Sequence, residues 1–191
     1  MIMTNIRIIA GIAFLSMSAV VTADPIVTLL PSQATVDTGQ SFSIDVVAQD
    51  VGAFDAVLAF GFDVSVESGL TLESAVVAPE FFDDTALFPS TDVGGTALPG
   101  VMGGADILLA TLFLSAGSLV GDFVVEIGTD PVDFGVSEGL LTLFGPTLSD
   151  ISASTTISVV DPNPQISMPE PGTLALLSLG LLGLVRRRKR S

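Results

Sequence analysis

The sequence predicts an all-β domain, a β-sandwich of about eight or nine short strands. Apolar and polar residues alternate with a period of two along most of the middle of the chain, which is typical of strands with one buried face. Turn-forming residues, above all Gly, Pro and Asp, separate these runs at short intervals. The only helical pattern in this part of the chain is a single turn around 79–84.

The predicted strands follow from the alternating runs and from the turn residues between them. In order along the chain they are 26–30, 42–48, 54–62, 70–77, 107–114, 123–127, 140–144 and 151–160. In the third strand, the alternation places Phe54, Phe60 and Phe62 on the buried face. The run 107–114 is apolar at almost every position, which predicts a central strand covered on both faces.

The stretch 89–105 interrupts this series of strands. It contains Gly94-Gly95 and Gly103-Gly104 and shows no alternation of apolar and polar residues. A phosphate-binding loop would need a Lys and a Ser or Thr between a strand and a helix, and this context is missing. We therefore interpret the stretch as a solvent-exposed loop.

The N-terminus has the three parts of a secretory signal peptide, 1–23. Arg7 supplies the positive charge and 8–21 the apolar segment. Small or branched residues precede the predicted cleavage site between Ala23 and Asp24; Ala19 offers another site. This peptide predicts export by the Sec translocase, while an uncleaved N-terminal anchor is the alternative.

The C-terminus also has three parts, which follow a linker at 162–168. Pro169, Glu170 and Pro171 form an extended tripeptide, because each proline fixes its own φ and disfavours helix at the preceding residue. The apolar run 174–185 favours a hydrophobic helix, although it is shorter than the roughly 20 residues of a stable membrane span. A basic cluster then holds its far end on the cytoplasmic side: Arg186, Arg187, Arg188, Lys189 and Arg190.

Residues 169–191 resemble the PEP-CTERM sorting signal of exported proteins in Gram-negative bacteria that make extracellular polysaccharide. The resemblance implies that an exosortase, a membrane cysteine protease-transpeptidase, acts at or near Pro169-Glu170-Pro171. The inner membrane would then be an intermediate location, and the cell surface or extracellular matrix the final one. The alternative is an ordinary membrane helix that permanently anchors a periplasmic binding domain for Ca²⁺ or carbohydrate.

Residues 24–170, which end inside the sorting tripeptide, carry only negative charge. All 21 acidic residues lie in 24–170, whereas the six basic residues are Arg7 and the C-terminal cluster. Such a surface repels phosphates, so nucleic acid is excluded as a partner. The chain contains no Cys and no His, which excludes disulfides, thiolate chemistry and a His-assisted nucleophile.

Three stretches resemble the cohesin family and together cover the domain 24–161. They are VDTGQSFSIDVVAQDVGAFDAVLAFGFD (36–63), LTLESAVVAPEFF (70–82) and ILLATLFLSAGSLVGDFVVEIG (107–128). The resemblance implies a nine-strand, jelly-roll-like sandwich that works as a structural or binding module. Cohesins of cellulosomes bind dockerin modules through one sheet face, but no dockerin-contact motif occurs here. Matrix polysaccharide or another surface protein is the expected partner.

Carboxylates in the turns are the remaining candidates for chemistry. Two groups could supply oxygen ligands to Ca²⁺, the one cofactor that this composition favours: Asp83 and Asp84 with Asp92 or Glu80, and Asp130 with Asp133. No D-x-D-x-D-G loop is present, so this prediction depends on charge density alone. An acid pair could also hydrolyse a glycosidic bond, but the absence of Trp and Tyr disfavours a sugar site. We predict that the protein is not an enzyme.

Overall fold

The structure, a computed structural model, describes residues 24–88, 90–130, 137–145 and 149–163. In these residues the chain forms eleven strands in two sheets and a single 3₁₀ turn at Thr85–Leu87, which confirms the predicted all-β sandwich. The strands are β1 (Ile26–Pro31), β2 (Thr35–Asp37), β3 (Ser41–Gln49), β4 (Ala56–Val66), β5 (Leu70–Val77), β6 (Phe82–Asp83), β7 (Val93–Met102), β8 (Ile107–Ala116), β9 (Gly121–Gly128), β10 (Gly139–Thr142) and β11 (Ala153–Val160).

The smaller sheet has four antiparallel strands in the order β1-β3-β8-β5. Strand β8 lies between two partners, as its apolar sequence predicts, but it is not covered on both faces. Leu112 and Leu114 are fully buried, whereas Phe113 is 43% exposed on the opposite face. A central place in a sheet provides neighbours along both edges of a strand, but it does not cover the faces, and the described residues leave the outer face partly open at Phe113.

The larger sheet has seven strands in the order β2-β11-β9-β4-β7-β6, and β10 also pairs with β4. Strand β4 is the longest at eleven residues, and β10 and β9 pair with successive parts of it. Strand β7 pairs along its other edge. Strand β4 therefore organises this sheet, and the side chains around its midpoint line the depressions described below.

The predicted loop at 89–105 is wrong, because most of it is strand β7. Gly94 lies opposite Gly61, and Gly95 lies opposite Phe60 of β4. A Cβ at Gly95 would come within 3.0 Å of the Phe60 ring of β4 and of Val77 of β5. The absence of a side chain at Gly95 therefore leaves room for both of these side chains. Glycines add nothing to a hydropathy pattern, which is why the alternation vanished from a stretch that nevertheless pairs as a strand.

Two predicted strands also extend beyond the observed ones at one end, although β4 continues further than predicted at its other end, to Val66. Phe54 lies before β4 and is 87% exposed, instead of facing the core. Strand β10 ends at Thr142, which leaves Leu143 and Phe144 exposed. In both cases the alternating pattern extends beyond the paired residues, before the start of β4 and after the end of β10. Hydropathy alone does not mark where the pairing with a neighbouring strand begins or ends.

The core between the sheets consists of aliphatic and phenylalanine side chains. Among the fully buried ones are Ile44, Phe62, Leu109, Leu112 and Ile157. Burial of each such side chain contributes about 1.5–3 kcal/mol to folding. The Phe60 ring stacks on Phe62 with centroids 6.0 Å apart and meets Phe81 edge-on at 5.0 Å.

Both predicted terminal signals lie outside the described residues. They are the signal peptide 1–23, which ends at Ala23, and the segment 169–191 with its apolar run and basic cluster. Asp24 is the first described residue and is exposed. In the described part of the chain, no helix has the length and hydrophobicity needed to cross a bilayer.

Candidate functional site

A cleft of about 310 Å³ lies on the larger sheet, and we call it the acidic cleft. Ala59 of β4, Thr96 of β7 and Leu141 of β10 lie side by side in the register of three neighbouring strands and line it. Phe88, which follows the 3₁₀ turn, adds an aromatic wall. Two acidic residues, Asp84 and Glu138, complete the lining.

Asp84 is held in place by the pairing between the 3₁₀ turn and β7. Its carboxylate accepts a hydrogen bond from the hydroxyl of Thr96. Its backbone N–H donates to the carbonyl of Gly94 (3.0 Å), and the Gly94 N–H donates to the hydroxyl of Thr85 (3.1 Å). The half-buried carboxylate therefore has a defined position on one side of the cleft.

Glu138 also lines the cleft and is only 1% exposed. Its Oε2 accepts a hydrogen bond from the backbone N–H of Asp130. The hydroxyl of Thr91 lies 3.5 Å from Oε1 of Glu138 and 2.9 Å from the hydroxyl of Ser137. A buried carboxylate needs such donors, because desolvation of an unpaired charge is costly. The sequence analysis missed Glu138, since nothing around it distinguishes it from an exposed turn residue.

A second depression on the larger sheet, which we call the acidic groove, has a volume of about 570 Å³. Four carboxylic residues line it, namely Asp63, Asp92, Glu126 and Asp130. The Asp92 N–H donates to Oδ1 of Asp63 (3.2 Å), and the Val64 N–H donates to Oδ2 of Asp92 (2.9 Å). These bonds fix the chain around Asp92 against β4.

The carboxylates predicted to bind Ca²⁺ are therefore divided between different places. Asp84 lines the cleft and Asp92 the groove, while Oδ1 of Asp83 accepts the N–H of Thr85 (3.0 Å). Glu80 lines another cavity, and Asp133 lies outside the described residues. Within the described ranges, no three acidic side chains are grouped so that they could hold a metal ion. The Ca²⁺ site stays a prediction, and the structure offers it no preformed set of ligands.

Asp55 joins three loops at the end of the sandwich where β4 begins. Its Oδ1 accepts the N–H groups of Ala56 (2.8 Å) and Phe144 (2.9 Å), and its carbonyl accepts the N–H of Gly103 (2.9 Å). Burial raises the pKa of Asp55, but the hydrogen bonds from Phe144, Ala56 and the side chain of Thr142 outweigh it, so the net pKa lies below the ordinary 3.8.

We expect the Asp55→Asn variant to unfold more easily than the wild type at neutral pH, by about 1–2 kcal/mol, because the charged acceptor of these bonds is lost. A lowered native pKa stabilises the fold above the unfolded value and loses this contribution as the pH falls through the native value. The difference between the two proteins in urea unfolding should therefore shrink below pH 3.8. Asp106→Asn is the control, since its exposed carboxylate accepts a single bond from Gln49. An equal loss in both variants would contradict the prediction.

Comparison with known proteins adds two findings. Residues 169–190 match the PEP-CTERM protein-sorting motif. The sandwich is similar to the cohesin module of a family 33 glycoside hydrolase from Clostridium perfringens, with a TM-score of 0.53 and 11% identity over 71% of this chain and 98% of that one. The chain carries a PEP-CTERM sorting motif and a cohesin-like domain. The motif indicates export and sorting at the membrane of a Gram-negative bacterium.

Other cohesins are similar to the domain at a lower level. The seventh ScaB type I cohesin of Pseudobacteroides cellulosolvens has a TM-score of 0.46 and 11% identity over 73% of this chain and 96% of that one. A non-cellulosomal cohesin of Archaeoglobus fulgidus has a TM-score of 0.46 and 15% identity over 73% and 93%. No curated protein sequence matches the chain. The similarity with a TM-score of 0.53 supports the fold alone, and at 11% identity it transfers no binding residue to the cohesin-like domain.

Proposed function

We propose that the protein is an exported, non-enzymatic binding or structural module of the cell surface or extracellular matrix. In this proposal the Sec translocase exports the chain, and an exosortase processes it at or near Pro169-Glu170-Pro171. The observation that carries the proposal is the sorting motif at 169–190, which follows closely on the cohesin-like domain.

The position of the motif relative to the sandwich supports processing without damage to the fold. Strand β11 ends at Val160, and the described chain reaches Asn163. Six further residues lead to Pro169, a distance of at most about 20 Å. All eleven described strands precede the motif, so cleavage there would release a complete sandwich.

The processing step has a direct test in the intact mass of the mature protein. The wild type should end near Pro169 and lack the basic cluster. In a strain without the exosortase the chain should keep its tail, and so should a variant with Ala at Pro169, Glu170 and Pro171. A matched control replaces Pro162 and Pro164 by Ala, which alters prolines outside the motif and should leave processing intact.

A mass that includes Arg186 and Ser191 in every strain would contradict the proposal. The tail would then act as a permanent anchor, and the domain would be a periplasmic binding module held at the inner membrane. Localisation of the processed protein in the matrix fraction would test the final destination separately.

One observation favours a second candidate, an acid-pair glycoside hydrolase: Asp84 and Glu138 line the same cleft. Such enzymes need one carboxylic acid and one carboxylate on either side of the bond that is cleaved. The absence of Tyr and Trp disfavours it, because sugar rings commonly stack on these side chains. Hydrolysis of matrix polysaccharide by the wild type, lost in Asp84→Asn, would establish the hydrolase and exclude the non-enzymatic proposal.

A further inference from the structure

We propose that the acidic cleft receives a cationic side chain, a lysine or an arginine, from a partner polypeptide. This proposal rests on the proposed function in taking the domain as a binding module. It adds the chemistry of the partner and the residues that recognise it.

The lining of the cleft has an apolar part and an acidic part, which match the apolar stem and the charged head of the side chain that it would bind. Ala59, Leu141 and Phe88 provide an apolar surface, and Asp84 and Glu138 are the acidic residues of the same lining. Lysine and arginine carry a charged head on an apolar stem, and both bury the stem along apolar surface. The stem would pack on the apolar lining while the head reaches Asp84.

The charge of the domain requires the cation to come from outside. No Lys, Arg or His occurs in 24–170, so no basic residue of the domain can pair with the Asp84 carboxylate. The acidic groove on the same sheet, lined by Asp63, Asp92 and Glu126, adds to the negative charge of this sheet. Carboxylates that line one depression raise the local concentration of cations and speed their association.

The two carboxylates are also held in position before any partner arrives. Thr96 and the backbone bonds of the 3₁₀ turn fix Asp84, while the Asp130 N–H fixes Glu138. Half-buried Asp84 can contact the incoming head directly, whereas Glu138 is only 1% exposed and helps to shape the wall of the cleft. A preorganised acceptor loses little entropy on binding, which favours recognition of a single side chain.

A metal ion and a neutral sugar fit this lining less well. Calcium takes about six to eight oxygen ligands, and the described residues contain no group of three acidic side chains that could hold a metal. A neutral sugar would gain nothing from the negative field and would have to cover an apolar lining.

The test uses the mature protein labelled with ¹⁵N and three small probes of one chain length. These are n-butylammonium, n-butylguanidinium and the uncharged n-butanol. We expect both cations to shift the amide signals of Gly94, Thr96 and Gly139, with dissociation constants in the millimolar range for such small ligands. The alcohol should shift them far less.

The variant Asp84→Asn should weaken binding of the cations about tenfold, since it removes one charge-assisted contact. Its amide oxygen can still accept the Thr96 hydroxyl, which preserves the local fold. Asp45→Asn is the matched control, because Asp45 accepts the hydroxyl of Thr111 (2.8 Å) in the same way on the other sheet. This control removes one charge far from the cleft and should leave the affinity unchanged.

Three results would overturn the proposal: equal shifts with butanol, equal weakening in both Asn variants, or tighter binding of a neutral hexose at the same amides. An absence of shifts with either cation would overturn it as well. None of these results would affect the mass of the processed protein, so a failure here is distinguishable from a failure of the proposed function.

Discussion

Replacement of Phe62 by Ala is expected to lower the free energy of unfolding by about 3–5 kcal/mol. The Phe62 side chain is fully buried in β4 and stacks on Phe60, which in turn packs edge-on against Phe81. Truncation would leave a cavity beside both rings, because the strands on either side of β4 limit how far the core can collapse.

Equilibrium urea unfolding of the mature protein measures this loss. Phe113→Ala is the matched control, since Phe113 is 43% exposed on the outer face of β8 and should cost about 1 kcal/mol or less. Equal losses in the two variants would mean that Phe62 does not occupy the interior of the sandwich.

Replacement of Gly61 by Ala is expected to destabilise the protein by about 2–3 kcal/mol and to disrupt the acidic cleft. A Cβ at position 61 would lie 2.0 Å from the carbonyl oxygen of Ser137 and 3.0 Å from its carbonyl carbon. Both atoms belong to the backbone, so no change of side-chain rotamer can relieve the clash. The chain at Ser137 and Glu138 would have to move away from β4.

Gly128→Ala provides the control for this substitution. A Cβ at Gly128, in β9 of the same sheet, would have no atom within 4 Å, and the change should be neutral or slightly stabilising. Urea unfolding compares the two variants, and the amide signals of Thr91 and Gly139 report on the cleft. If Gly61→Ala were as stable as Gly128→Ala and kept these signals, Ser137 would not lie against β4.

Much of the sandwich could be predicted from the sequence, because the patterns that mark its strands and turns lie within short runs of neighbouring residues. Strands β3, β5, β9 and β11 carry an alternation that a single run of residues displays, β1 is a short apolar run, and Gly, Pro and Asp mark the turns between them. The sorting motif is equally local, since its tripeptide, apolar run and basic cluster follow one another directly. The absence of basic residues in 24–170 can be read directly from the sequence.

The remaining features depend on contacts between distant residues, and only the tertiary structure decided them. Strand β7 pairs through Gly94 and Gly95, which contribute nothing to an alternating pattern. The cleft unites Asp84 with Glu138, residues that are more than fifty positions apart in the chain. Glu138 is buried because its backbone neighbour Ser137 covers Gly61, a contact made possible by a missing side chain on another strand. Hydropathy describes each residue alone, whereas burial and proximity arise from the pairing of strands.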